Sequence, residues 1–132
     1  MLQLKCTQKV LRELGLTPPA GGGVHEPDTR LGHWYVNLFT VDRRKTFLFM
    51  NERTLLSFVI FGIKKSNVQE MPAVFVRGLV QLLVLEEFKP AEIDRALASY
   101  ETFDIGRTDS RRLLGNMNDL MDLYRHHILW EG

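Results

Sequence analysis

HWYVNLFTV (His33–Val41), DRRK (Asp42–Lys45) and TFLFM (Thr46–Met50) follow one another without a break, and their reading decides the fold. The outer runs are rich in aromatic and β-branched residues, the composition of strands. The four charged residues between them suit a hairpin loop. Strands joined this tightly are antiparallel neighbours, so a sheet starts here. Downstream, Asn51-Glu52-Arg53 reads as a turn or a single helical turn, and the apolar run Leu55–Ile63, closing at Gly62, predicts a buried third strand, with a helix as the alternative. Upstream, Leu2–Lys5 alternates apolar and polar and predicts a short strand. Thr7 is placed to cap a helix over Gln8–Leu14, with Gly15 at its C-terminus. Proline and glycine dominate Thr17–Arg30, which reads as a loop.

Further along, Lys64–Glu70 is a polar connector and Pro72 opens a helix that runs to Phe88. Lys89-Pro90 ends it. A helix over Ala91–Tyr100, a strand over Thr102–Ile105 and a last helix to Leu129, with Asp109 as N-cap, complete the chain. The order predicts one α+β domain over residues 1–132, a mainly antiparallel sheet of four to five strands with about four helices packed on it.

Composition agrees. A chain of 132 residues fits one domain, and 45% apolar with 25% charged residues is an ordinary globular mixture, not a disordered one. The N-terminus lacks a signal-peptide core and no apolar run reaches membrane-spanning length, so the expectation is a cytoplasmic protein with no membrane partner. Cys6 stands alone and forms no internal disulfide. The formal net charge is +1, unevenly spread: residues 32–71 carry +3 (six basic, three acidic) and residues 72–104 carry −3 (three basic, six acidic). This excludes a broadly basic nucleic-acid coat but permits a local basic site.

On the last helix Leu113, Leu114, Met117, Leu120, Met121, Tyr124 and Ile128 share one stripe, the core face, and Leu123 and Trp130 fall off it. The helix over Pro72–Phe88 is apolar all round, which predicts burial on every side, by its own chain or by a second subunit. That is the warrant for a homodimer or a protein partner.

No glycine-rich phosphate loop or metalloprotease motif occurs. The polar residues most out of keeping with their surroundings are Asn51, Glu52, Thr54, Thr108, Ser110, Asn118 and Asp119, a candidate polar site, with Gly115 read as permitting close approach of a backbone or ligand. Glu52, Asp119, Asp122 and His126 would serve a metal-dependent hydrolase; a solvated helix face is the plainer reading of the last three. Cys6 reads as a buried apolar residue, with a nucleophile as the alternative. No cofactor is implied. The candidate basic site comprises Arg43, Arg44, Lys45, Lys64, Lys65, Arg107, Arg111 and Arg112, and Trp34 and Tyr35 would stack on unpaired bases.

Three stretches, His33-Trp-Tyr-Val-Asn-Leu-Phe39, Met50-Asn-Glu-Arg-Thr-Leu55 and Gly106-Arg-Thr-Asp-Ser-Arg-Arg-Leu-Leu-Gly-Asn-Met-Asn-Asp119, resemble a family of small bacterial proteins classed as a domain of unknown function. LQLKCTQKVLRELGL at the N-terminus is similar too. Where that family commonly has an acidic residue, this chain has His33. The resemblance implies a bacterial, cytoplasmic, single-domain protein and supplies no activity. The reading is a non-enzymatic interaction module that self-associates or binds a protein, with nucleic-acid binding as the first alternative and the hydrolase as the second.

Overall fold

The computed structural model describes residues 2–18, 32–98, 100 and 103–131, with side chains for residues 3–126 among them. Five strands, β1 (Leu2–Cys6), β2 (Trp34–Val41), β3 (Arg44–Asn51), β4 (Ser57–Phe61) and β5 (Phe103–Arg107), form one sheet in the order β4-β3-β2-β1-β5. The larger part is the antiparallel meander β2-β3-β4. β1 runs parallel to both β2 and β5. It reaches β2 through α1 (Gln8–Leu14), and β4 reaches β5 through α2 (Met71–Leu85) and α3 (Pro90–Ala98); a strand that returns through a helix re-enters in its original direction. α4 (Arg111–Glu131) closes the chain, and the architecture is α+β.

Alternation along the strands builds two cores. Leu4, Cys6, Trp34, Val36, Phe47 and Phe49 face Val10, Leu11 and Leu14 of α1 and Phe75, Leu79 and Leu83 of α2. Tyr35, Phe39, Val41, Leu48 and Met50 face Leu113, Met117 and Met121 of α4. The hairpin therefore has helices on both faces, which is why its strands are almost continuously apolar.

Several expectations change. The hairpin loop is two residues, not four: Val41 pairs with Arg44, and Asp42 and Arg43 carry φ of 48° and 66°. Positive φ at both central positions marks a type I′ turn, whose twist matches that of the flanking strands. The third strand is shorter than Leu55–Ile63 and lies half-exposed at the sheet edge rather than buried. Leu55 (φ 64°) and Gly62 (φ 86°) turn the chain on either side of it. α2 is not buried all round. Met71, Phe75, Leu79 and Leu83 are buried, but Val84 is 59% and Leu85 79% exposed. By length and composition alone Lys65–Leu85 would cross a membrane; non-helical Asn67 interrupts it, and its Met71–Leu83 stripe is packed in the core. Ser110, not Asp109, caps α4, accepting from the Leu113 N–H at 3.2 Å. The bulk of the Thr17–Arg30 loop, and the side chains of Ile128 and Trp130, lie outside the described residues.

Nor does Gly115 provide a close approach: a Cβ there meets nothing within 4 Å. Gly78 does, since its Cβ would stand 2.4 Å from Phe58 Cε2. Phe58 is stacked on Phe49 (5.1 Å, 11°), so moving it aside gives up that stack. The same substitution thus has opposite signs at the two sites. Gly115→Ala raises stability by about 0.5–1 kcal/mol through helix propensity. Gly78→Ala lowers it by about 1–2 kcal/mol through overpacking. Urea denaturation of both variants checks the pair.

Candidate functional site

The polar candidates do not converge as one group. Asn51 is buried, and its Oδ1 accepts from the N–H groups of Arg53 and Thr54 (3.0 and 2.9 Å) and from the Thr54 hydroxyl (3.1 Å). These two residues lock the turn after β3. Ser110 is spent as a cap, and Thr108 is half-buried in the turn before it. Asn118 and Asp119 are exposed two turns into α4. Asn118 lines a cleft of about 500 Å³ with Lys9, Thr40 and Asp122, among others. Asp122 pairs with Arg125 at 3.0 Å. Among the described residues no group of three or more His, Cys, Asp or Glu side chains could hold a metal ion. The grouping of Glu52 with Asp119, Asp122 and His126 is not formed.

Glu52 instead joins a cluster that only the folded chain brings together. Lys5, on the α4 side of β1 and 3% exposed, places Nζ 3.0 Å from Glu52 Oε2 and 3.3 Å from Asp109 Oδ2. The Tyr35 hydroxyl donates to Asp109 Oδ1 and accepts from the Asp109 N–H at 3.1 Å. Glu52 Oε1 accepts from the His33 N–H at 3.3 Å, and His33 Nδ1 accepts from the Gln3 N–H at 3.0 Å. Gly106 leaves room for Gln3, whose Nε2 would lie 2.4 Å from a Cβ there. Burial, followed by the bond to Asp109, raises the Tyr35 pKa and keeps its proton in place. For Asp109, burial is the largest influence and acts upward. The Tyr35 hydrogen bond and the Lys5 charge outweigh it and hold the carboxyl below its usual range. The junction ties β1, the end of β3 and the start of α4. Its ionic bonds are internally satisfied, so its evident work is structural.

Sequence reading missed Lys5, Tyr35 and Asp109 in these roles. Gln3 and Lys5 alternate with Leu4 and Cys6 as on a half-solvated strand, and no local signal distinguishes a buried lysine that meets two carboxylates from other elements. The core residues Trp34 and Tyr35 are fully buried and stack on no base; the aromatic part of the nucleic-acid reading is corrected. Cys6 is buried, and burial lifts its thiol to about 12, opposite to a nucleophile's need.

The basic candidates split. Arg43, Arg44, Lys45 and Lys64 line one cavity beside the hairpin turn, and Lys65 lies along Gly15 at the nearby end of α1. Arg107 bonds Gln8 at the opposite end of α1 (3.4 Å), while Arg111 and Arg112 begin α4.

The open side of β4 presents unpaired backbone groups among the described residues. The Asn51 N–H donates to the Leu56 carbonyl at 2.8 Å, so Phe49–Phe58 and Phe47–Ile60 are the bonded pairs of the β3–β4 ladder. The N–H and C=O groups of Ser57, Val59 and Phe61 consequently point off the sheet. A groove of about 550 Å³ runs along this edge, walled by Val74, Arg77, Gln81 and Leu85 of α2 and by Tyr124 of α4.

No curated protein and no solved structure matches the chain. A family model, Domain of unknown function (DUF6933), matches residues 3–131. With nearly its whole length covered, the chain belongs to that family.

Proposed function

We propose that this domain is a self-associating interaction module whose β4 pairs with β4 of a second copy. The observation that carries it is the outward row of Ser57, Val59 and Phe61 on a strand, SFVIF, that has no charge and no proline. Edge strands are ordinarily protected by such residues. The other edge, β5, has them in Asp104 and Arg107.

The row is self-complementary. An antiparallel copy sets Val59 opposite Val59 and Ser57 opposite Phe61, so every outward group finds a partner across a twofold axis. A stable interface buries about 800 Å² per partner, more than one short strand supplies. The exposed Leu85 and half-buried Val74 and Leu82 beside the groove extend the apolar surface onto α2. Arg77 and Gln81 give that wall polar groups for the seam.

The test is Val59→Pro. Among the described residues the Val59 N–H has no partner, so proline there removes an intermolecular donor and leaves the β3–β4 ladder intact. Light scattering at about 100 µM protein should give a dimer for the wild type and a monomer for V59P with unchanged circular dichroism. A monomeric wild type at that concentration contradicts the proposal, as does a V59P variant that still dimerises.

A further inference from the structure

The cavity at the hairpin end has a chemistry of its own, although it shares Phe61 with the edge of β4. It measures about 750 Å³, and Arg43, Arg44, Lys45 and Lys64 line it together with Glu13, Phe61, Gly62 and Ile63. Glu13 is its one lining carboxylate, and Lys45 already binds it. Among the described residues no carboxylate pairs with Arg43, Arg44 or Lys64. Three cations therefore face a ligand-sized space without counter-charge.

One of them is held in place. The Arg44 guanidinium lies over the Phe61 ring, 4.2 Å from its centroid. That stacking uses the face of the plane and leaves the N–H edges free to direct bonds outward. Arg43 occupies the second central position of the type I′ turn at φ 66°. Glycine or asparagine is usual there, and an arginine costs about 1–2 kcal/mol of backbone strain. Opposite, Gly62 at φ 86° offers bare backbone, since a Cβ there meets nothing within 4 Å.

We infer that this cavity binds a phosphate-bearing ligand with at least two negative charges. Arginine forks match phosphoryl oxygens two at a time, and Lys64 supplies a point charge beside them. Two sources carry that chemistry: the backbone of a single-stranded nucleic acid and a free polyphosphate group. Both would meet the same side chains. Trp34 and Tyr35 are buried and stack on no base; the cations would hold a nucleic acid by its backbone, and backbone contacts carry no base preference.

The experiment uses the full chain and two probes, inorganic tripolyphosphate followed by calorimetry and a mixed-sequence single-stranded 12-mer followed by fluorescence anisotropy. The variant is Arg43→Gly with Lys64→Ala. Glycine relieves the turn, so the fold is expected to persist with an undiminished Tm. At about 50 mM salt at least one probe should bind, and the variant should weaken it by about tenfold or more. For the 12-mer, three phosphate contacts predict a loss of roughly twentyfold between about 50 and 200 mM salt. Binding of tripolyphosphate alone identifies a small-molecule site; binding of the 12-mer alone identifies a backbone site. Absence of both overturns the inference, and so does binding that survives in the folded variant. A replacement of Arg107, Arg111 and Arg112 by serine is the control and should leave binding unchanged; a loss there instead of at the hairpin also overturns it.

Discussion

Lys5→Met should cost about 3 kcal/mol of stability at neutral pH. The lysine is 3% exposed and is the cation between Glu52 and Asp109. Its removal leaves two carboxylates facing each other at the base of α4, with Glu52 largely out of water. Breaking a buried pair from one side costs about 3–5 kcal/mol, and the part-exposed position of Asp109 sets the lower end. The pH dependence follows. The Asp109 pKa is depressed in the folded state, so its contribution is present above the ordinary carboxylate value and disappears as pH falls through the folded one. In the variant, acid neutralises Asp109, one of the two carboxylates that lost their partner. The gap between wild type and Lys5→Met should therefore be widest near pH 7 and narrow towards pH 3. Adding Glu52→Gln to Lys5→Met should recover part of the loss. Urea midpoints at the two pH values measure all of this, and a pH-independent gap would place the cost in packing instead.

Phe75→Ala should be at least as damaging, at about 3–5 kcal/mol. Phe75 is fully buried in the middle of α2 and is the hub of the larger core. Its ring stands 5.4 Å from Trp34 in an edge-on arrangement, 5.6 Å from Phe49 and 5.8 Å from Phe58. It also reaches Tyr100 and Phe103, so one side chain connects α2 to β2, β3, β4, β5 and the end of α3. Neighbouring elements converge on it, and none can close the hole without giving up contacts elsewhere. The comparison is Val84→Ala on the same helix, where the side chain is mostly in solvent; that change should stay within about 0.5 kcal/mol. Thermal or urea unfolding of the two variants should separate them by several-fold. Similar losses at both positions would contradict the orientation of α2.

The sheet was legible because its strongest signal is local. HWYVNLFTV and TFLFM announce paired strands by composition, and the α4 stripe at Leu113, Met117 and Met121 announces a core face by period. What escaped depended on partners distant in sequence. The parallel pairing of β1 with β5 joins residues about a hundred positions apart, and no periodicity reports it. The burial of Lys5 needs Glu52 and Asp109 to arrive from two other elements. The apolar surround of α2 was visible, but which side faces the sheet was not, and so a helix exposed at Val84 and Leu85 read as one buried throughout. The basic residues of the hairpin were legible as a group because Arg43, Arg44 and Lys45 are consecutive; that Lys64 joins them and Arg107 does not is a matter of topology.

The central claim is that the free edge of β4 is a pairing surface for a second copy, and amide hydrogen exchange reads that edge directly. Among the described residues the N–H groups of Ser57, Val59 and Phe61 have no partner across the sheet, whereas those of Phe58 and Ile60 bond to β3. Exchange is measured on the wild-type chain at a low and a high protein concentration. Protection at Ser57, Val59 and Phe61 that grows with concentration, while Phe58 and Ile60 stay protected throughout, is the predicted result. Exchange at those three amides that remains fast and unchanged at the higher concentration would contradict it.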